Sequence, residues 1–293
     1  MASFSDAFKE NYYLSEEFAS FCSRVSGMKA KRYRIGELDI PVIRNKNISI
    51  HAYEKETKQW MRKRKISFIS VEKKLNKKSN NPSAREYALF LKKSYSAAKK
   101  AYSRSFSDGL KQSLRYPYKV MILDNYNNEI LDEIYQIYEE QMERLNSFLF
   151  PKEFFEEIMK LPSSKIFLLC LYDKITAYSF CFENKENLYT SIGGGKAEFF
   201  KKRCNNRIYD EMVQYVCSKG LNMHFGLGMH GSGYNSFKEG AGIKLYRCEE
   251  YPNHPLLFKV GNWLLNYKIT GKILRGYSKK RPKKVVFRAM PFT

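Results

Sequence analysis

The fold of this 293-residue chain is decided by residues 165–195, which read KIFLLCLYDKITAYSFCFENKENLYTSIGGG. Three apolar runs of strand length, at 165–172, 175–183 and 187–192, are separated by short polar segments. Strands of this length joined by tight turns predict an antiparallel meander. The three glycines at 193–195 are expected to break the last strand.

Helical periodicity flanks this meander on both sides. Apolar residues recur at threes and fours over 128–145 and over 206–218, and each pattern predicts an amphipathic helix. Pro151 is well placed in the first turn of a third, short helix. A fourth helix is predicted over 83–103 by the spacing of Tyr87, Leu91, Tyr95, Ala98 and Tyr102.

Downstream, Asn205 or Asn206 is the expected cap of the helix at 206–218, and Gly220 its stop. A short strand is predicted next, then a glycine-rich loop, and a closing strand after the segment Phe237 to Gly242. These predicted elements cover 221–225, 226–233 and 243–251. Far upstream, the Lys-, Asn- and Ser-rich segment 71–82 reads as an exposed loop.

The charge balance restricts the partners. Lys and Arg number 52 against 30 Asp and Glu, which gives a formal net charge of +22. Such an excess attracts nucleic acid, anionic lipid, phosphorylated substrates or an acidic carrier protein. A lysine-rich composition without any such partner accounts for the same charge, so the number alone leaves both interpretations open.

Cysteine usage and the N-terminal segment indicate a cytoplasmic protein. The six cysteines include no C-x-x-C pair, and Cys and His do not cluster at metal-ligand spacing, which favours buried free thiols and no metal. The N-terminus lacks the basic and apolar regions of a signal peptide, and no run approaches the ~18 apolar residues of a membrane span. Residues 257–293 interleave basic and apolar side chains. This pattern suits peripheral contact with the inner face of an anionic membrane, nucleic acid, or a packed helix with a solvated tail.

A family resemblance is carried by residues 224–252, HFGLGMHGSGYNSFKEGAGIKLYRCEEYP. This segment resembles the C-terminal signature of FemABX-like transferases and their GNAT-superfamily relatives, in which a strand ends in F-G and a loop leads to F-K and a glycine before the last strands. Residues 104–115, RSFSDGLKQSLR, and residues 140–150 also resemble segments of that family. The resemblance extends over about residues 85–252.

The resemblance implies an α/β (α+β) fold, with a GNAT-like mixed, largely antiparallel sheet flanked by helices and splayed at its centre. It also implies a second, degenerate GNAT-like N-terminal half. We divide the chain accordingly into a degenerate N-terminal subdomain (1–125), a GNAT-like acyltransferase domain (126–256) and a basic amphipathic extension (257–293). In that family an acyl thioester, or the aminoacyl end of a charged tRNA, lies in the splay and is attacked by an amine of a cell-envelope precursor.

Carried over residue by residue, the resemblance makes Phe237 and Lys238 the catalytic pair. A lysine held in a glycine-flanked turn could neutralise the charge that develops on the carbonyl oxygen, although an ordinary surface lysine gives the same pattern. His230, in the glycine-rich loop, is the candidate proton acceptor, with Glu239 as a second choice. The candidate substrate-binding residues are Arg104, Asp108, Gly226 and Tyr234.

Acetyl-CoA enzymes of the superfamily hold the pyrophosphate with a glycine-rich turn before the helix that follows the meander. Here that turn reads KKRCNNRIYDEM at 201–212 and lacks the glycines. The candidate cofactor-binding residues are Gly193, Gly194, Gly195, Arg203, Asn206 and Arg207. The donor is then acyl-CoA, an acyl carrier protein or charged tRNA.

Three functions follow from these observations. The first is N-acyl transfer to an amine of an envelope polysaccharide or a lipid-linked sugar precursor. The second is addition of an amino acid from charged tRNA to a peptidoglycan precursor. The third, from a different class, is a basic, non-catalytic nucleic-acid-binding protein, although the sequence contains no recognisable reading module.

Overall fold

The structure is a computed structural model that describes residues 3–75, 85–145, 147, 149–229 and 231–251. Within these residues eleven strands form one sheet. The strands are β1 (Lys31–Ile35), β2 (Leu38–Ile43), β3 (Lys46–His51), β4 (Ser67–Leu75), β5 (Arg85–Phe90), β6 (Lys119–Leu123), β7 (Ser164–Leu171), β8 (Lys174–Glu183), β9 (Asn187–Gly195), β10 (Asn222–Met229) and β11 (Lys244–Tyr251).

Eight α-helices accompany the sheet in the described part of the chain. They are α1 (Glu16–Ser26), α2 (Lys55–Lys63), α3 (Tyr95–Lys100), α4 (Arg104–Ser113), α5 (Asn128–Arg144), α6 (Lys152–Met159), α7 (Cys204–Lys219) and α8 (Gly233–Gly240). None of these helices combines the length and the apolar character that a membrane crossing requires.

The strand order is β1-β2-β3-β4-β11-β5-β10-β9-β8-β7-β6. Neighbouring strands run antiparallel except at β3–β4 and β9–β10, which are parallel. The sheet is therefore mixed and largely antiparallel, as the sequence predicts. The last described strand, β11, lies between β4 and β5, and β5 in turn pairs with β10.

Helices cover both faces of the sheet. Along β7, Ile166, Leu168 and Cys170 join the core formed with α1, α5 and α6, whereas Phe167 and Leu169 join the core formed with α4 and α7. Alternate side chains of a strand point to opposite faces, and here both sets are apolar because both faces are buried. This burial explains the continuous apolar runs of the meander.

The predicted helices at 128–145 and after Pro151 are confirmed as α5 and α6, and the helix at 206–218 as α7. The three meander strands are confirmed as β7, β8 and β9. Gly220 ends α7 in the left-handed conformation, with φ of 68°. The predicted caps Asn205 and Asn206 are wrong, because α7 begins after Arg203, which itself adopts a left-handed conformation.

Four further predictions are wrong. The helix predicted over 83–103 is β5 in its first part and α3 only at its end. The glycines at 193–195 do not break the meander but continue β9 in register with β8. Likewise, β10 extends into the predicted glycine-rich loop, to Met229, and the predicted turn around Lys238 is the helix α8.

The predicted division at residue 125 falls between β6 and α5, while the sheet runs without interruption across it. The division into domains stays a prediction. Residues 257–293 lie outside the described residues, and the segment 71–82 lies partly in β4 and otherwise outside them.

Candidate active site

The parallel strands β9 and β10 pair over three residues and then separate. Asn187, Leu188 and Tyr189 of β9 face Asn222, Met223 and His224 of β10, and beyond them each strand pairs only with its other neighbour. The Thr190 hydroxyl donates to the carbonyl oxygen of His224 at 3.3 Å, at the point where the pairing ends. The sheet is therefore splayed at its centre.

A cavity of about 380 Å³ occupies the splay. It is lined by β8, β9 and β10, by α5 from one face of the sheet, and by α7 and α8 from the other. A volume of this size is typical of a site for a small ligand. Because helices of both faces line it, the cavity borders on both faces of the sheet.

Phe225 marks the β10 side of the splay. The pairing of β10 with β5 shifts register between His224 and Gly226, so Phe225 lies in a β-bulge, and Gly226 adopts a positive φ of 72° that suits glycine. Tyr209 of α7 stacks on Phe225, with ring centroids 5.2 Å apart. Tyr209 also meets Phe237 of α8 edge to face, at 5.0 Å. These aromatic rings form the apolar wall of the cavity.

Helix α8 is short and is held by specific contacts. Ser232 caps it by accepting a hydrogen bond from the backbone N–H of Asn235. The Asn235 side chain donates to the buried Glu86 carboxylate at 2.8 Å. A Cβ on Gly228 would overlap the Asn235 amide, so this glycine allows α8 to lie directly on β10. The glycines of the predicted loop therefore serve close packing.

Lys238 is completely buried behind the apolar wall. Its Nζ donates to the carbonyl oxygen of Phe225 at 3.0 Å and lies 3.9 Å from the centre of the Tyr234 ring. Burial lowers the pKa of Lys238 to about 7. Its ammonium contacts two residues that line the cavity, but Lys238 is not itself among the lining residues.

The other predicted site residues fall into three groups. Gly193, Gly194, Gly195, Tyr234 and Phe237 line the cavity, and Gly226 adjoins it in the bulge. His230 lies outside the described residues. The remaining predicted residues are not among those that line the cavity: Arg104, Asp108, Arg203, Asn206 and Arg207.

These five residues have other contacts. Arg104 is almost fully exposed on α4, 3.9 Å from Asp108. Arg203 donates to the side chain of Gln112 at 3.0 Å, and Arg207 pairs with Glu211 at 2.6 Å. The Asn206 amide donates to the carbonyl oxygen of Phe106 at 3.4 Å and is buried between α4 and α7.

Asn206 makes Gly109 a sensitive position. A Cβ on Gly109 would lie 2.7–3.0 Å from the Asn206 amide atoms, closer than real contacts allow. We expect Gly109→Ala to destabilise the protein by about 1–3 kcal/mol in chemical denaturation, although Ala favours a helix over Gly by about 1 kcal/mol. Adding Asn206→Ala should recover much of the loss. A Gly109→Ala protein that is more stable than the wild type would contradict this packing.

Two backbone N–H groups of the turn before α7 are hydrogen-bonded within the protein, which affects how a cofactor can bind there. A 3-10 helix at Ala197–Lys202 uses its own backbone, with the N–H of Phe199 bonded to Lys196 and the N–H of Arg203 bonded to Phe200. The side chain of Gln112, from α4, bonds both Lys201 O and the Arg203 side chain. These groups of the turn are engaged within the protein, while α7 itself has no side-chain cap at its N-terminus.

Sequence reasoning missed Gln141, Tyr178, Ser191 and Tyr209, which all line the cavity. In Gln141, Tyr178 and Ser191 a buried side-chain oxygen has no hydrogen-bond partner among the described residues. Leaving such a group unpaired costs about 1–3 kcal/mol. Unpaired buried oxygen atoms are therefore found where a ligand or a water molecule completes the site. A signal existed for Gln141, since it follows Ile130, Ile134 and Ile137 on the apolar stripe of α5.

No protein-family model matches the chain, and no curated protein matches it in sequence. Its structure resembles that of FemX, with a TM-score of 0.61 and 11% identity over 86% of this chain and 95% of FemX. The C-terminal domain of a putative lysylphosphatidylglycerol synthetase from Agrobacterium fabrum gives 0.54 and 13%, over 83% and 88% of the two chains. L-PGS from Bacillus licheniformis gives 0.50 and 10%, over 86% and 96%. The protein thus has the FemABX-like, GNAT-type fold predicted from its sequence.

Proposed function

We propose that this protein is a transferase that moves an acyl or aminoacyl group from an activated carboxyl donor to an amine. The observation that carries the proposal is the cavity between the separated strands β9 and β10, with a buried lysine directly behind its wall. Its structural similarity to FemX and to the lysylphosphatidylglycerol synthetase domain supports the same class of reaction.

The geometry suits aminolysis of an ester or thioester. The amine nitrogen bonds to the carbonyl carbon, the bond from that carbon to the carrier oxygen or sulfur breaks, and the proton lost by the amine passes to the leaving atom. Where β9 and β10 separate, backbone groups on their facing edges become available to the substrate instead of to each other. Fixed N–H donors and the nearby Lys238 charge stabilise the negative carbonyl oxygen of the tetrahedral intermediate.

The turn before α7 lacks glycines, and two of its N–H groups are bonded within the protein, which favours a donor that brings no pyrophosphate to that position. Charged tRNA and an acyl carrier protein meet this condition, whereas CoA bound in the manner of acetyl-CoA enzymes does not. The net charge of +22 suits the polyanionic tRNA. Aminoacyl-tRNA is therefore the favoured donor, with carrier-bound acyl groups as the second candidate. For the acceptor we propose an amine on a cell-envelope precursor.

The test is a transfer assay with three donors: tRNA charged with radiolabelled amino acids, an acyl carrier protein and acyl-CoA. Each is incubated with the protein and a membrane-precursor extract. We expect label from charged tRNA to appear in amide linkage in the extract, and ribonuclease treatment of the donor to abolish this transfer. Salt-sensitive RNA binding without transfer from any donor would contradict the proposal and support a non-catalytic nucleic-acid-binding protein.

A further inference from the structure

The α5 side of the cavity contains two buried oxygen atoms without a hydrogen-bond partner among the described residues, Gln141 Oε1 and the Tyr178 hydroxyl. Both lie against Gly194. A Cβ placed on Gly194 would overlap Gln141 Oε1 and would lie 3.1 Å from the Tyr178 hydroxyl oxygen. The two oxygen atoms therefore lie close together beside Gly194, and both residues line the cavity.

The two side chains are held in position by the fold. Gln141 Nε2 donates to the carbonyl oxygen of Gly193 at 3.3 Å, which orients the amide and leaves Oε1 against Gly194. Tyr178 is 1% exposed, and its ring packs edge to face on Phe180 at 5.8 Å. Both oxygen atoms are therefore fixed in place, as expected of a preformed subsite.

The chemistry of this pair selects the group that it binds. Gln141 Oε1 only accepts hydrogen bonds, whereas a tyrosine hydroxyl both donates and accepts. A ligand hydroxyl satisfies both, because it can donate to Gln141 and accept from Tyr178. An anionic oxygen would be repelled by Oε1. A cation would find no Asp or Glu among the described cavity-lining residues, and it would meet Arg144 at the rim.

We infer that Gln141 and Tyr178 form a specificity subsite for an uncharged hydroxyl group of the substrate. The inference rests on the proposed function in one respect, since it takes this cavity as the substrate cavity. The hydroxyl belongs either to the transferred aminoacyl group, as in a seryl group, or to a sugar-bearing acceptor. The same pair disfavours a lysyl group, whose ammonium it cannot neutralise.

Direct binding to the purified full chain tests the subsite. The hydroxyl probes are L-serinamide, for the transferred group, and D-glucosamine, for the acceptor. Their controls are L-alaninamide and cyclohexylamine, which lack the hydroxyls, and L-lysinamide, which adds a charge. We expect at least one hydroxyl probe to bind roughly tenfold more tightly than its control in isothermal titration calorimetry, the usual effect of a buried hydrogen bond.

Three variants connect that binding to the two side chains. Tyr178→Phe removes only the hydroxyl, Gln141→Leu removes the acceptor at similar size, and each should weaken the preferred hydroxyl probe by roughly tenfold. Tyr135→Phe is the matched control, because the Tyr135 hydroxyl donates to the carbonyl oxygen of Phe150 rather than facing the cavity, and its binding should equal that of the wild type. Without any probe, Tyr178→Phe should melt at the wild-type temperature or above, because the hydroxyl that it removes has no hydrogen-bond partner among the described residues.

Four outcomes would overturn the inference. The first is that neither hydroxyl probe binds, and the second is that the wild type and both cavity variants bind the preferred probe equally. The third is that L-lysinamide binds more tightly than L-serinamide. The last is that Tyr178→Phe without probe melts below the wild type. The last outcome would mean that a water molecule or a protein group already occupies the hydroxyl. Because binding needs no turnover, failure of the subsite can be distinguished from failure of the proposed function in the transfer assay.

Discussion

Lys238→Met is expected to slow acyl transfer by about 100-fold or more while the protein keeps or gains melting temperature at pH 7. The catalytic loss follows from the position of the ammonium, which contacts Phe225 O and the Tyr234 ring immediately behind the cavity. Without this charge, the wall no longer stabilises the negative oxygen of the intermediate. The loss should appear in kcat, because the charge acts on the intermediate more than on bound substrate.

The stability of this variant follows from the pKa of Lys238, which burial lowers from 10.5 to about 7. In the unfolded chain this lysine keeps its proton up to about pH 10.5. Burying the side chain therefore has its full free-energy cost below pH 7, and the cost decreases as the pH rises toward 10.5. At pH 7 this amounts to about 5 kcal/mol.

The chain offers a matched control in Lys46→Met. Burial, reinforced by the charge of Arg85, also lowers the pKa of Lys46 to about 7, but Lys46 belongs to β3, which is separated from β10 by β4, β11 and β5. Its replacement should leave the transfer rate near that of the wild type. A Lys238→Met protein with full activity would remove Lys238 from the proposed mechanism, and one that unfolds well below the wild type would assign it a structural role instead.

The meander and α5 could be predicted because their signals are local. Each strand from β7 to β9 is a nearly continuous apolar run, and the stripe on α5 repeats at helical spacing. The strand β5 carries a misleading signal, since Tyr87 fits a helical spacing with Leu91 and Tyr95. Because β5 is central and buried on both faces, it lacks the alternation that would have identified it.

The site depended on contacts between residues distant in sequence. Gly228 and Gly194 suggest a flexible loop and a break, but each is required where a side chain from another element lies against the backbone. Those side chains, Asn235 and Gln141, are not identifiable as partners from the sequence. The splay itself came from the family resemblance, because no residue pattern marks where β9 and β10 stop pairing. Lys238 was proposed as a site residue in the same way, but its burial and its position on a helix were not predicted.

Between pH 6.5 and pH 4.5 the protein is expected to lose about 5 kcal/mol of unfolding free energy to two buried histidines. Burial lowers the pKa of His51 from 6.5 to about 4 and that of His224 to about 3. Below pH 6.5 the two histidines therefore bind protons in the unfolded chain but stay neutral in the folded protein. The stability given by the neutral rings is complete above pH 6.5 and falls as the pH approaches 4.

The hydrogen bonds explain why the neutral rings are required. His224 Nε2 lies 3.1 Å from the carbonyl oxygen of Ala7, which only accepts, so Nε2 carries the hydrogen and Nδ1 accepts from the Tyr87 hydroxyl at 2.9 Å. His51 Nδ1 lies 3.0 Å from Asn11 Nδ2, which only donates. A proton on His51 Nδ1 would therefore face the N–H of Asn11.

The Asn11 amide cannot rotate away from this clash. Its Nδ2 also donates to the carbonyl oxygen of Ile50 at 2.6 Å, while its Oδ1 accepts from the backbone N–H of Tyr13 at 3.0 Å. Ala7 and Asn11 both belong to the N-terminal segment that packs on the centre of the sheet, and His224 directly precedes Phe225 of the cavity wall. We therefore expect protonation to weaken the packing of the N-terminal segment on the sheet.

Urea denaturation at pH 6.5, 5.5 and 4.5 measures the loss. His51→Gln keeps an acceptor for Asn11 but cannot be protonated. As the pH falls, the histidines should therefore lower the unfolding free energy of this variant by about 1.4 kcal/mol per pH unit, and that of the wild type by about 2.7. Equal slopes for the two proteins would mean that His51 is already charged or exposed in the fold. A reduced slope would show that the N-terminal segment is held to the sheet by a ring that must stay neutral.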